Sequence, residues 1–135
     1  EKTPMASPDH FQAVQITDAA VFYSRLTKWD ADFEGTAPHT IGAQYSYYLG
    51  YRKLDLGPQA HFVVDVSDVY EQKLEAVRCY ETQFPPAKVL VFERLRAFNR
   101  MQGLAAGFQF GEILFTHQAI GVRDLVEYAF GGKQL

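Results

Sequence analysis

The stretch HFVVDVSDVYEQKLEA, residues 61–76, joins a strand pattern directly to a helix pattern. Its opening run, 61–66, is rich in β-branched residues and predicts a short strand. Ser67 is a residue type that favours the start of a helix. The helix pattern that follows is an apolar recurrence at helical spacing, carried by Val66, Tyr70, Leu74 and Val77. Two adjacent prolines at 85–86 predict where this helix ends.

Upstream of this stretch, the chain predicts one helix and one further strand. The helix begins at Ser7, with Pro8 in the first helical position and Asp9 in the first turn, and extends to about residue 28. Its apolar residues lie on two faces, which predicts burial between layers of structure. After a polar loop, the aromatic segment 41–51 predicts a strand, which is followed by a turn at 54–60.

Downstream, residues 88–106 predict another helix. The apolar stripe of this helix consists of Phe92, Leu95, Phe98, Met101 and Ala105. Gly103 and Gly107 predict a close approach to neighbouring chain or a helix cap. An extended segment at 110–116 and a last helix at 121–130 complete the order. Two or three strands are too few for an ordinary α/β sheet covered by helices, so we expect an α/β fold with an incomplete sheet.

Composition indicates one folded domain, 1–135, and excludes several classes of function. Of the 135 residues, 47% are hydrophobic and 15% aromatic, which is too apolar for a disordered chain. A net charge of -3 and a pI of 5.8 argue against a nucleic-acid binder, and the apolar runs are too short for membrane insertion. The single cysteine, Cys79, cannot form an internal disulfide and fits a reducing, cytoplasmic location.

Four segments carry a resemblance to a known family. Ser7-Pro8-Asp9-His10 precedes a helix as a His-Pro-Asp-His element does in that family, and 62–76 resembles its strand–Asp–helix segment. Residues 79–83 continue this match, and 110–112 resembles an aromatic–small–Glu element. In this order and spacing, the chain resembles the C-terminal part of the PIG-L/LmbE-like family of zinc-dependent N-acetylglucosamine deacetylases.

The resemblance implies a fold, a substrate class and a set of site residues. The fold would be the C-terminal portion of a Rossmann-like three-layer domain, and the substrate an N-acetyl amino sugar or its conjugate. His10 would bind zinc, and Asp9 beside it would orient a neighbouring group or a ligand imidazole. Ser7 replaces a family histidine that assists proton transfer or holds the tetrahedral intermediate. Tyr80 and Gln83 would face the substrate cleft. The zinc would activate water to attack the acetamide.

The sequence departs from the family in two ways. A serine at position 7 can donate a hydrogen bond but cannot act as an acid near neutral pH. The family's Ala-His-Pro-Asp-Asp element, which supplies two more zinc ligands and the general base, has no match in these residues. Because one histidine cannot hold catalytic zinc, we expect the chain alone to bind zinc weakly and to be inactive or incomplete as an enzyme.

Structural interpretations remain open beside each functional one. His10 can be a helix-surface histidine, Asp9 a residue that favours the helix dipole, and Ser7 a simple helix cap. Tyr80 and Gln83 can be packing and capping residues at a helix end. We expect ordinary structural roles for seven other residues, which are His39, His61, His117, Cys79 and the arginines at 94, 96 and 100.

Further alternatives concern Lys73 and the tyrosines at 45–51. Lys73 matches a family position, although a surface lysine explains it equally well. The tyrosines at 45, 47, 48 and 51 could stack on sugars or could be half-buried strand residues.

The resemblance leaves two main functional hypotheses. The first is a fragment or one piece of a deacetylase, and the second is a non-catalytic α/β interaction domain that retains the fold. A third, weaker one is an unrelated small α/β fold. Exposed strand edges and helix faces of a truncated sheet predict a homo-oligomer, or association with a missing N-terminal half.

Overall fold

A computed structural model describes residues 7–29, 31–48 and 60–131 of the chain. The chain divides into two compact units, Glu1–Tyr45 and Ser46–Leu135. Among the described residues, none of the helices is long and apolar enough to cross a lipid bilayer. The turn predicted at 54–60 lies outside the described residues except for residue 60. The tail after residue 131 also lies outside them.

The first unit is built on helix α1, Pro8–Tyr23. Its start is as predicted, because Ser7 has extended backbone and Pro8 opens the helix. The helix ends at Tyr23 rather than near residue 28. None of its residues is buried, so the expected burial between layers is wrong. The apolar residues are spread around the helix, which leaves no single stripe for one neighbouring layer to cover.

The second unit contains a small antiparallel sheet of three strands. These are β1, Ser46–Tyr47, β2, Ala60–Asp65, and β3, Gly111–Thr116, in the order β1-β3-β2. Strand β2 matches its prediction closely, whereas the predicted strand at 41–51 is reduced to two residues, with 49–51 outside the described residues. This mixed arrangement of helices and strands is compatible with an α/β fold.

Three helices accompany the sheet. Helix α2, Tyr70–Arg78, follows a 3-10 turn at Ser67–Val69, and it ends well before the prolines at 85–86. Helix α3 spans Val89–Ala105, close to the predicted bounds. Helix α4 is shorter than predicted, Leu125–Phe130, because Asp124 accepts hydrogen bonds from the Val126 and Glu127 N–H groups and sets the helix start there.

Ser67 does not cap helix α2 as predicted. Its hydroxyl donates to Asp65 Oδ1 at 2.6 Å, and it accepts a hydrogen bond from the Phe110 N–H at 3.0 Å. The hydroxyl is therefore used to join the end of β2 to the start of β3. The pKa of Asp65 is held below its usual range, chiefly by the hydrogen bond from the Ser67 side chain.

The core of the second unit is a stack of two aromatic rings. Tyr70 is 1% exposed, and its ring lies parallel to that of Phe110 with 3.9 Å between centroids. Leu74 completes the buried cluster, and Val66 and Phe92 pack against it. The inward face of α3 differs from the predicted apolar stripe, because Met101 is 56% exposed. The residues of α3 that are buried are Leu95, Asn99, Gln102 and Gly103.

Gly103 confirms the predicted close approach of helix α3 to neighbouring chain. A Cβ atom placed on Gly103 would lie 2.7 Å from the backbone nitrogen of Gly111. At the end of the same helix, Gly107 has a φ of 85°, a left-handed conformation that suits glycine in a helix cap.

The hydroxyl of Tyr70 is buried and has no hydrogen-bond partner among the described residues. Burial raises the pKa of this phenol above its usual value, and Arg96 opposes part of that shift. We predict that Tyr70→Phe leaves the free energy of unfolding unchanged or raises it by about 1 kcal/mol, because no hydrogen bond is lost.

The raised pKa adds a pH dependence to this prediction. The unfolded phenol ionises near pH 10 and the folded one only at higher pH, so the wild-type chain loses stability as the pH rises above about 10. Urea unfolding at pH 8 and at pH 10.5 measures this loss, which Tyr70→Phe should reduce. Tyr128→Phe, at a 64% exposed position, is the matched control. If Tyr70→Phe and Tyr128→Phe lost the same stability between pH 8 and pH 10.5, the assignment of the pH dependence to Tyr70 would be contradicted.

Candidate functional site

The candidate residues of the first unit meet at the start of helix α1. The His10 N–H donates to Asp9 Oδ1 at 3.0 Å. The pKa of Asp9 is lowered, with a hydrogen bond from the Ser7 side chain as the largest cause and the His10 backbone contributing. Ser7 occupies the cap position, yet its side chain accepts no bond from the helix backbone. The sequence motif therefore forms an exposed Ser–Asp–His cluster centred on an ionised carboxylate.

His10 has no neighbouring set of metal ligands in the described part of the chain. Across residues 7–29, 31–48 and 60–131, no group of three or more His, Cys, Asp and Glu side chains could hold a metal ion. A catalytic zinc usually takes three protein ligands. The described residues do not by themselves form a zinc site.

Tyr80 and Gln83, the predicted substrate contacts, lie in the turn after helix α2. The Gln83 N–H donates to the Tyr80 carbonyl at 2.9 Å, and the Gln83 carbonyl accepts from Lys88 Nζ at 2.8 Å. Both side chains are exposed, with Tyr80 66% accessible. Their backbone bonds fix the turn and leave both side chains accessible. Their contact with a substrate stays a prediction.

Lys73 is the centre of a polar network that connects three elements of the second unit. Its Nζ donates to Asn99 Oδ1 of α3 at 2.9 Å and forms an ion pair with Glu112 of β3. Asn99 is 3% exposed, and its Nδ2 donates to the Gly111 carbonyl at 2.8 Å. Lys73 is therefore a structural link from α2 to α3 and β3, rather than a simple surface lysine.

This network brings together two segments that the sequence comparison had identified separately. In addition to the Lys73–Glu112 ion pair, the Val66 N–H donates to the Phe110 carbonyl at 3.1 Å. Ser67 also bonds Phe110, across 43 positions of sequence. Segments 62–76 and 110–112 are thus adjacent in space, which the order of matches along the chain did not itself establish.

A second polar contact lies on the sheet, between Tyr48 and His61. The Tyr48 hydroxyl and His61 Nε2 are 2.5 Å apart, and both side chains are half-buried. The two rings are nearly parallel at 5.8 Å, and Phe115 packs against both. His61 was expected to have an ordinary structural role, because nothing in the local sequence pattern indicates a partner 13 positions away.

Comparison with known proteins gives a partial match. The chain is 32% identical over 108 residues to diacetylchitobiose deacetylase from Thermococcus kodakarensis, and the match covers 78% of this chain. The chain spans only 38% of that relative's length. A search against protein-family models found no match. The similarity supports a relationship to a deacetylase over this part of the chain.

The Lys73–Glu112 pair gives a direct test of the network. Because these side chains are 25% and 38% exposed and Lys73 also donates to the buried Asn99, we predict a coupling free energy of about 1 kcal/mol or more. It is measured by urea unfolding of Lys73→Met, Glu112→Gln and the double variant.

The Arg96–Glu71 pair is the matched control for this cycle. Its side chains are 54% and 67% exposed, and exposed pairs typically contribute about 0–1 kcal/mol. The corresponding cycle uses Arg96→Gln and Glu71→Gln. The proposed link is wrong if the Lys73–Glu112 coupling does not exceed that of the exposed pair.

Proposed function

We propose that this chain is part of a deacetylase that hydrolyses the acetamide of an N-acetyl amino sugar or its conjugate. The observation that carries the proposal is the 32% identity over 108 residues to diacetylchitobiose deacetylase. The adjacency of segments 62–76 and 110–112 supports it, because matches scattered by chance would not be expected to form one packed cluster. The small antiparallel sheet would then be one portion of a larger, Rossmann-like three-layer domain.

Within this proposal, His10 supplies one metal ligand at the start of helix α1. Its imidazole is exposed, and a zinc ion there would require further ligands from outside the described residues. Asp9 is better suited to orienting a neighbouring group than to accepting a proton. A general base acts best with a pKa near the working pH, whereas the pKa of Asp9 is lowered from an already acidic value.

Ser7 in the first unit and the turn after α2 in the second unit each have a separate proposed role. We propose that Ser7 positions Asp9, since its side chain is the largest cause of the lowered Asp9 pKa; a serine can perform this role although it cannot replace an acidic histidine. Tyr80 and Gln83 present exposed polar side chains from one turn, and we propose that they contact the sugar. A phenol ring and an amide suit a neutral, hydroxyl-rich ligand.

The second candidate is a non-catalytic α/β interaction domain. The specific observation in its favour is Ser7, which stands where the family resemblance implies a proton-transfer histidine. The contacts described in the second unit serve packing: Lys73 bonds both Asn99 and Glu112, and Asn99 donates to the Gly111 carbonyl. Such contacts would be retained by a domain that kept the fold and lost the chemistry.

The two candidates are separated by assaying the protein expressed from its complete reading frame. We predict acetate release from diacetylchitobiose, and a loss of about 100-fold or more in His10→Ala together with loss of bound metal measured by elemental analysis. His117→Ala is the control, because this residue lies in the second unit and has no proposed role.

Two results would reject the deacetylase. One is a folded wild-type protein that releases no acetate from N-acetylated amino sugars, and the other is a His10→Ala variant with unchanged rate and metal content. The DNA sequence upstream of Glu1 gives a cheaper first indication. An in-frame Ala-His-Pro-Asp-Asp element favours the enzyme, whereas a start codon at this boundary favours the interaction domain.

We also propose that the chain self-associates. Large apolar side chains are exposed in both units, among them Ile16 at 67%, Leu125 at 72% and Val126 at 67%. Apolar surface of this kind favours association in water. Light scattering of the purified chain should give the mass of two or more copies, and the mass of one copy at micromolar concentration would contradict the proposal.

A further inference from the structure

Residues 24–29 and 31–39 of the first unit belong to a loop whose ends are held together. The His39 N–H donates to the Ser24 carbonyl at 2.7 Å, which joins the last residue of the loop to the first. Inside the loop, the Phe33 N–H donates to the Trp29 carbonyl at 3.0 Å, and the Thr36 N–H to the Phe33 carbonyl at 2.8 Å. Compact loops with close ends are frequent places for function.

The tip of this loop adopts a conformation that is unusual for its residues. Glu34 has a φ of 50° and Gly35 a φ of 73°, so two successive residues are left-handed. Glycine adopts this conformation readily, but for glutamate it costs about 1 kcal/mol or more. The shape of the loop is therefore maintained by its internal hydrogen bonds and not by the backbone preference of Glu34 at its tip.

The loop and the last turn of helix α1 line a cavity of about 320 Å³ that is open to solvent. The rings of Tyr23 and Phe33 form part of its wall, and small or aliphatic side chains form most of the rest. Trp29 connects these two rings, with centroids 5.6 Å from Tyr23 and 6.3 Å from Phe33. The volume lies at the small end of the range for ligand pockets, which fits a single ring.

Polar groups interrupt the apolar wall at three positions, Ser24, Thr36 and His39. Within the described residues, the Thr36 hydroxyl and the His39 imidazole make no hydrogen bond, so both can bond a ligand. Among the described residues that line the cavity, none is Asp, Glu, Lys or Arg. An ionic ligand would find no charged partner among them, which favours an uncharged occupant.

We propose that this cavity is a binding site for an uncharged carbohydrate ring, a pyranose. A pyranose has C–H faces that pack against aromatic rings such as those of Tyr23 and Phe33. Its hydroxyl groups match the donors and acceptors of Thr36 and His39. A purely apolar ligand would leave these two polar groups unpaired, which disfavours binding.

This site is distinct from the cluster at the start of helix α1. His10 and Ala20 are ten positions apart on one helix, which places them about 15 Å apart along its axis. The cavity would therefore bind a second sugar unit or a separate saccharide. Binding there requires no metal and no hydrolysis, so this proposal can succeed or fail independently of the deacetylase.

Fluorescence titration of the chain tests the proposal, because Trp29 is its single tryptophan and contacts two rings of the wall. The probes are N-acetylglucosamine and diacetylchitobiose, with cyclohexanol as an apolar ring of similar size. We expect saturable binding of the sugars, with Kd on the order of 1 mM or tighter, and weaker binding of cyclohexanol. Phe33→Ala and His39→Ala should each raise Kd by about fivefold to tenfold.

Phe22→Ala is the matched control for Phe33→Ala, since Phe22 is an exposed ring of the same unit that does not line the cavity. It should leave Kd unchanged. If Phe33→Ala disturbs folding, as shown by circular dichroism, Thr36→Val gives the same test with shape preserved. The proposal is overturned if no sugar binds saturably, if cyclohexanol binds as well as the sugars, or if the control and cavity variants lose binding equally.

Discussion

The arrangement of the second unit depends on the contact between Gly103 of helix α3 and Gly111 of strand β3, where two backbones meet with no side chain between them. A Cβ atom on Gly103 would lie 2.7 Å from the Phe110 and Gly111 backbones, so any larger residue would force the helix away from the strand. This proximity lets Asn99, one turn earlier on α3, donate to the Gly111 carbonyl. Lys73 can then bond Asn99 and Glu112 together. The ion pair is therefore a consequence of the backbone contact and also stabilises it.

Local patterns in the sequence were sufficient for the elements whose limits are set locally. Strand β2 and helix α3 were predicted within one or two residues, because β-branched residues, prolines and glycines act on their own neighbours. Strand β1 was predicted too long, since its extent is set by pairing of only two residues with Leu114 and Phe115, far along the chain. The role of Ser67 was missed for the same reason, because its partner Phe110 is distant in sequence.

The candidate site residues also differ in whether local sequence could predict them. Ser7, Asp9 and His10 are consecutive or nearly so, and the sequence predicted correctly that they form one group at a helix start. The cavity of the first unit could not be predicted, because it exists only when the His39 N–H reaches the Ser24 carbonyl and closes the loop. The residues next to His39 in the sequence therefore gave no indication that it lines a cavity. The role of Asn99 could not be predicted either, because a polar residue within an apolar stripe does not indicate which distant residue it will bond.

The two groups of residues that carry the family resemblance differ in what they say about function. Lys73 and Glu112 are bonded to each other and join three elements, so they have a structural role whether or not the chain performs any chemistry. Their resemblance to family positions is therefore accounted for by packing alone and does not by itself indicate catalysis. The start of helix α1 is different, because Ser7, Asp9 and His10 are exposed and contribute no buried contact to the first unit. The exposed cluster is open to a metal or a substrate and the packed network is not, so variants of Ser7, Asp9 and His10 test catalysis more directly than variants of Lys73 and Glu112.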